Sequence, residues 1–112
     1  MEFIIECENP WFNLIKEGKK TIEGRINNNK YNKIKNCDII QLVNHENNDS
    51  IKLLVTTINK YNTFADMLEH ETLDKVLPNI DTLEEGIQIY RKYYKLEVEI
   101  KKGVLAIAFQ LM

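Results

Sequence analysis

The sequence predicts an α+β fold: a small, curled, mixed β-barrel flanked by about three helices. Three observations predict it. Apolar runs of strand length and amphipathic helical stretches follow one another irregularly, as strand, helix, strand, two strands, two helices and a final strand. A doubly wound parallel sheet would alternate them regularly. The strands are short and numerous, the pattern of a small barrel. The chain, residues 1–112, has the length of one domain, with 44% hydrophobic and 29% charged residues, enough to bury one core without staples.

Each element has a local reason. "FIIEC" (3–7) is an apolar run suited to a buried strand. "NPWFNLIKEG" (9–18) reads as a helix, with Asn9 as N-cap and Pro10 at the first helical position. Trp11, Leu14 and Ile15 share one face, and Gly18 suits the left-handed residue that ends a helix. "TIEGRI" (21–26) resumes extended structure, and "NNNKYNKIKN" (27–36) is a polar loop. "CDIIQLVN" (37–44) and "SIKLLVTTINKY" (50–61) are two strands joined by "HENND". "TFADMLEHETL" (63–73) is a helix capped by Thr63, with Asp66 three residues on. "DTLEEGIQIYRKYYKLE" (81–97) is a third helix, capped by Asp81 or Thr82. Gly86 costs it about 1 kcal/mol relative to alanine, which implies a packing reason. "GVLAIAFQLM" (103–112) closes the sheet.

Composition narrows the functional classes. The two cysteines, Cys7 and Cys37, fall in predicted strands and read as buried free thiols, not as a disulfide framework. With no signal peptide legible at "MEFIIECENP", a reducing cytoplasmic, intracellular setting is expected. No run approaches the roughly 18 apolar residues of a membrane span. The net charge of -2 excludes a bulk polycation. Charge is nevertheless uneven: residues 1–35 hold seven Lys/Arg and five Asp/Glu, whereas 62–85 hold one Lys and seven Asp/Glu. A polyanion should meet the first segment and avoid the second.

The densest chemistry lies in "GKKTIEGR" (18–25). Alternation along a strand puts Thr21, Glu23 and Arg25 on one face and Ile22, Gly24 and Ile26 on the other. Glu23 and Arg25 are then about 7 Å apart at the backbone, so their heads can meet or converge on a ligand. Gly24 leaves a gap that admits a neighbouring backbone or a ligand. One reading is a surface ion pair, worth ~0–1 kcal/mol, beside two solvated lysines, Lys19 and Lys20. The other makes Arg25 a forked donor to phosphate or carbonyl groups, Glu23 an acceptor or proton carrier, and a lysine a phosphate contact or, once desolvated, a base or nucleophile.

This stretch resembles the G-x-K-x-x-E-x-R signature of the ASCH domain, a relative of the PUA-like RNA-binding folds. "NPWFNLIKEG", "KIKNCDIIQL", "YNTFADML" and "YRKYY" with "GVLAIAF" resemble the family's other motifs in the same order, so the likeness spans nearly the whole chain. Cys37 stands where the family usually has glycine. The resemblance implies a PUA-like barrel of five or six strands, with a cleft lined by Lys20, Glu23 and Arg25. Some small ASCH proteins are amidohydrolases on N(4)-acetylcytidine, using a lysine at the position of Lys20, a threonine three residues later and a glutamate on a later helix. Here Glu23 stands at the threonine position, and Glu85, or its neighbour Glu84, is nearest to the helix glutamate.

Other candidates are aromatic and basic. Tyr90, Tyr93 and Tyr94 share a helix face and read either as packing or, with Trp11, as a surface on which a base stacks, worth ~1–3 kcal/mol. Arg91 and Lys92 could add backbone contacts. His45 and His70 have no partner at metal spacing, and neither metal nor cofactor is expected. The leading expectation is an RNA- or nucleotide-binding module, monomeric, that takes RNA, a nucleotide or a modified nucleoside. Its ligand-binding residues are Trp11, Lys19, Lys20, Glu23, Arg25, Tyr90, Arg91 and Tyr94. The alternatives are an amidohydrolase on an acylated nucleoside or a ribonuclease, using Lys20, Glu23 and Glu85, or a protein-binding adaptor with an apolar patch within residues 63–94.

Overall fold

The computed structural model describes residues 1–112. Five strands, β1 (Glu2–Glu6), β2 (Ile22–Ile26), β3 (Ile39–Asn44), β4 (Asp49–Tyr61) and β5 (Val104–Leu111), form one sheet in the order β1-β3-β4-β5-β2. The β1–β3 pair is parallel and the other three are antiparallel, so the sheet is mixed. A register shift between Val55 and Thr57 bends the long strand β4, which pairs with β3 through its first half and with β5 through its second. In a flat sheet the edge strands would lie roughly 19 Å apart, four spacings of about 4.8 Å. Here the Arg25 guanidinium on β2 donates to the Glu6 carbonyl on β1 at 2.9 Å. The sheet therefore curls into a half-barrel whose open seam is spanned by side chains.

The helices number five, not three: α1 (Trp11–Lys16), α2 (Phe64–Glu71), α3 (Leu73–Val76), α4 (Leu83–Arg91) and α5 (Leu96–Lys102). Two departures account for the difference. A single helical turn, α3, follows α2. The third expected helix, 81–97, breaks after Arg91 and restarts as α5, because Glu99 is pulled into the interior. It is 2% exposed, accepts the Phe64 backbone N–H at 2.9 Å and pairs with Arg91 at 2.8 Å, tying the start of α2 to the end of α4. Other local expectations hold, except that α1 starts one residue late, with Pro10 and not Asn9 as its N-cap. Thr63 and Thr82 cap α2 and α4 by accepting the N–H of Asp66 and Glu85 at 3.1 and 3.2 Å. At Asn9 the side chain accepts the Asn13 N–H at 3.1 Å, one turn in, while Pro10 occupies the cap. A Cβ on Gly86 would come within 3.0–3.3 Å of Leu68, Leu73 and Leu77, which is the packing reason for that glycine.

The curled sheet separates two apolar clusters. Ile5, Phe12, Ile40, Leu42, Leu53, Leu105 and Ile107 fill the concave side with α1. Ile22, Ile26, Phe64, Met67, Leu68, Tyr90, Val104 and Ala106 join the outer face to α2 and α4. Cross-strand register then fixes the direction of β2. Glu23 pairs with Ile107 and Arg25 with Leu105, so both charged side chains stand on the concave face beside apolar neighbours. Cys37 departs from expectation: it is exposed in the turn before β3, with φ 75°, a left-handed backbone that favours glycine. Cys7, just beyond β1, is buried.

Candidate functional site

A cavity of about 420 Å³ opens at the seam between β1 and β2, under α4. Its floor is the strand face foreseen in the sequence, but the lysine beside it behaves differently from a solvated side chain. Lys20 is 1% exposed. Its ammonium donates to the Ile22 carbonyl at 2.8 Å and to the Val76 carbonyl at the end of α3, and it pairs with Glu23 Oε1 at 3.3 Å. A lysine has three N–H donors, and all three are engaged. Glu23 is likewise saturated: Oε1 also accepts the Gly24 N–H at 3.1 Å, and Oε2 accepts Arg25 Nη2 at 3.0 Å with Cys7 Sγ 4.0 Å away. Arg25 further donates to Tyr31 Oη at 3.0 Å. Three of its five donors are used, leaving two.

The electrostatics follow from burial and pairing. Burial pushes the Lys20 ammonium below its ordinary pKa, with Glu23 opposing. Burial alone would raise Glu23, but Lys20 and Arg25 on either side overcome it and hold the carboxyl below the usual range. Burial pushes the Cys7 thiol up to about 12, so it is a neutral wall group. Around this triad the lining carries Glu6, Glu8 and Glu46 against Lys30, so with Glu23 four carboxylates face three cations. The cavity is thus not a basic cleft.

What distinguishes the cavity is its aromatic wall and two buried polar atoms with no partner. Trp11, Tyr31, Tyr90, Tyr93 and Tyr94 all line it. Asn44 Nδ2 and Tyr90 Oη are both buried and unpaired. Such orphans are rare and call for an explanation. Burial holds the Tyr90 phenol well above its ordinary pKa, so it stays a neutral donor and acceptor. Its ring stacks on Phe64, centroids 4.0 Å apart, and its hydroxyl occupies the space above Gly24, where a Cβ would lie 2.7 Å from it. The gap at Gly24 therefore admits Tyr90 and Met67 side chains, neither a backbone nor a ligand.

Of the residues singled out in the sequence, Trp11, Lys20, Glu23, Arg25, Tyr90 and Tyr94 line this cavity. Three do not. Lys19 is 66% exposed and pairs with Glu17 at 3.6 Å, because the chain turns it outward as Lys20 turns in. Arg91 is committed to Glu99. Glu85 is exposed at the start of α4, away from the cavity, so the Lys20–Glu85 catalytic pair is not assembled. Sequence reasoning missed Asn44, Cys7 and His45 as lining residues. Asn44 and His45 reach the site only because β3 runs parallel to β1, with Val43 opposite Glu6. A polar Asn closing the apolar run "IIQLV" was the one available signal.

A half-barrel with this signature on its seam strand defines a class of protein, and comparison with known proteins agrees. The ASCH domain model matches residues 5–112, and the chain belongs to that family. A hypothetical protein, PH0355, is 38% identical with a TM-score of 0.92, each chain covering all of the other. Protein PF0455 from Pyrococcus furiosus is 41% identical with a TM-score of 0.82, over 100% of this chain and 98% of that one. A mutant ASCH protein from Zymomonas mobilis shares the fold at 16% identity, with a TM-score of 0.69 over 97% of this chain and 67% of that one. No curated protein matches the sequence.

Proposed function

We propose that the cavity binds a single base or nucleoside, presented free or by an unpaired RNA strand, and that the protein is a nucleic-acid-binding module. The observation that carries this reading is the pairing of an aromatic wall with two orphaned polar atoms, Asn44 Nδ2 and Tyr90 Oη, in one cavity. Its volume lies within the range of small-molecule sites, about 300–1,000 Å³. Tyrosine and tryptophan faces stack on a base. The two remaining Arg25 donors, the Asn44 amide and the Tyr90 hydroxyl supply edge contacts, and an orphaned group gains a partner when such a ligand binds.

The amidohydrolase reading has weaker support. Amide hydrolysis needs an activated nucleophile and a proton donor for the leaving amine. Lys20 has no free N–H, Glu23 stands where a threonine would act, and Glu85 lies outside the cavity. The adaptor reading required an apolar patch within 63–94, where Tyr93 is the one exposed large hydrophobic residue.

The test uses Trp11, the only tryptophan, which lines the cavity. Titration with cytidine, uridine, adenosine, guanosine and N(4)-acetylcytidine should change its fluorescence saturably for at least one of them, and Asn44→Ala should weaken that response about tenfold. No saturable response to any nucleoside contradicts the proposal. Acetate released from N(4)-acetylcytidine would reassign the cavity to hydrolysis.

A further inference from the structure

A second concave region lies beyond the far end of β2. It has a volume of about 270 Å³ and is formed by Asn27, the end of β4 (Lys60–Asn62) and the end of α5 (Ile100–Gly103). Three lysines, Lys60, Lys101 and Lys102, converge on it, and no carboxylate lines it. All three are exposed, and none takes part in an ion pair. Glu71, the acid that reaches this end of β4, is engaged by the Asn59 amide at 2.9 Å and the Tyr61 hydroxyl at 2.5 Å. Lysines in the last turn of a helix offset its dipole. That accounts for Lys101 and Lys102 on α5 but not for Lys60, which comes from a strand. Nor does it explain an acid-free groove in a chain that carries more acid than base.

We infer that this groove binds the sugar-phosphate backbone of single-stranded nucleic acid. Three unpaired ammonium groups match phosphate oxygens, and the Asn27 and Asn62 amides match sugar hydroxyls. The choice of a nucleic acid over another polyanion rests on the reading of the cavity as a base site. Asn27, the residue after β2, follows Glu23 by four residues, so extended chain sets the two regions roughly 13 Å apart. A single chain with one base in the cavity passes over the groove. The division is physical: the cavity, where carboxylates outnumber cations, reads a base, and the groove supplies the salt-dependent attraction.

The experiment follows binding of a short single-stranded RNA by the full chain, from about 50 to 200 mM salt. Three phosphate contacts give a slope of about −2 in log affinity against log salt, since each single-strand phosphate contributes roughly −0.7. The triple variant Lys60→Gln/Lys101→Gln/Lys102→Gln should bind about tenfold more weakly at the lowest salt, with the slope close to zero, while its Trp11 response to nucleoside is unchanged. A control with the same loss of charge, Lys33→Gln/Lys35→Gln/Lys95→Gln, should keep the wild-type slope. Lys60→Gln alone, outside α5, should remove about a third of the slope without affecting the helix. The proposal is overturned if the triple variant binds as the wild type does, if the control loses as much, or if the wild type binds no single strand. Groove-dependent RNA binding with no Trp11 response to nucleoside would instead leave the groove standing and remove the cavity reading.

Discussion

The cavity floor and the lysine groove each centre on three charged side chains and use them in opposite ways. In the cavity, Lys20 and Glu23 commit all their hydrogen bonds, and Arg25 three of its five, to one another, to Tyr31 and to the backbone of β1, β2 and α3. In the groove, Lys60, Lys101 and Lys102 have no partner at all. The signature that draws attention in the sequence is therefore mainly a device that closes the seam of the half-barrel and shapes the wall of the cavity. Apart from two Arg25 donors, the groups free to meet a ligand are less conspicuous: an asparagine at a strand end, a tyrosine over a glycine, and three surface lysines. Charge density marks where a fold is held as readily as where it binds.

The comparison breaks most directly at Lys20. Lys20→Met leaves Glu23 short of a partner and two buried carbonyls without donors, and removing one member of a buried ionic cluster costs about 3–5 kcal/mol. Lys60→Gln, at an exposed and unpaired site, should change stability by less than about 0.5 kcal/mol. Urea unfolding of both variants checks this, and similar losses for the two would erase the distinction.

Acid sharpens it. Glu23 is held below its unfolded value of 4.5 by Lys20 and Arg25. Its contribution is present above pH 4.5 and is lost as pH falls through the depressed native value. Wild-type stability should therefore fall below about pH 4.5. Glu23→Gln, already weaker at neutral pH, should lose less over the same interval, and the groove variant should follow the wild type. Unfolding midpoints measured from pH 7 to 3 decide between these curves.

Smaller effects are expected at Gly24. A methyl group there would lie 2.7–2.9 Å from the Tyr90 hydroxyl and the Met67 side chain. Gly24→Ala should cost about 1–3 kcal/mol by overpacking. Because it displaces Tyr90, it should also weaken the Trp11 response to nucleoside while leaving the salt dependence of RNA binding intact. At the other end of the scale, Cys37 belongs to neither region and pays the strain of φ 75°. Cys37→Gly should stabilise the protein by about 0.5–1 kcal/mol, raising Tm by a few degrees. It should not alter binding of either ligand.

How much of this was legible depended on how local the cause was. The two-residue period of "TIEGRI" placed Glu23 and Arg25 together on one face, and the threonine caps acted as their neighbours in sequence dictate. Lys20 was not legible as a buried group, because what buries it is the carbonyl of Val76, 56 residues away, on a single helical turn with no sequence signal of its own. The break between α4 and α5 has no proline or glycine to announce it; it exists because Glu99 reaches the start of α2. Asn44 entered the cavity through the parallel pairing of β1 with β3, a long-range fact that no spacing along the chain encodes.

If base and backbone are read in two separate places, amide chemical-shift mapping of the nitrogen-15-labelled protein will separate them. A nucleoside should shift the Trp11 indole, the Gly24 amide and the Asn44 side-chain amide, leaving Lys60, Lys102 and Gly103 unmoved. A short single-stranded RNA should shift both sets. Nucleoside shifts confined to the groove, or RNA shifts that never reach Trp11 and Asn44, would contradict the account.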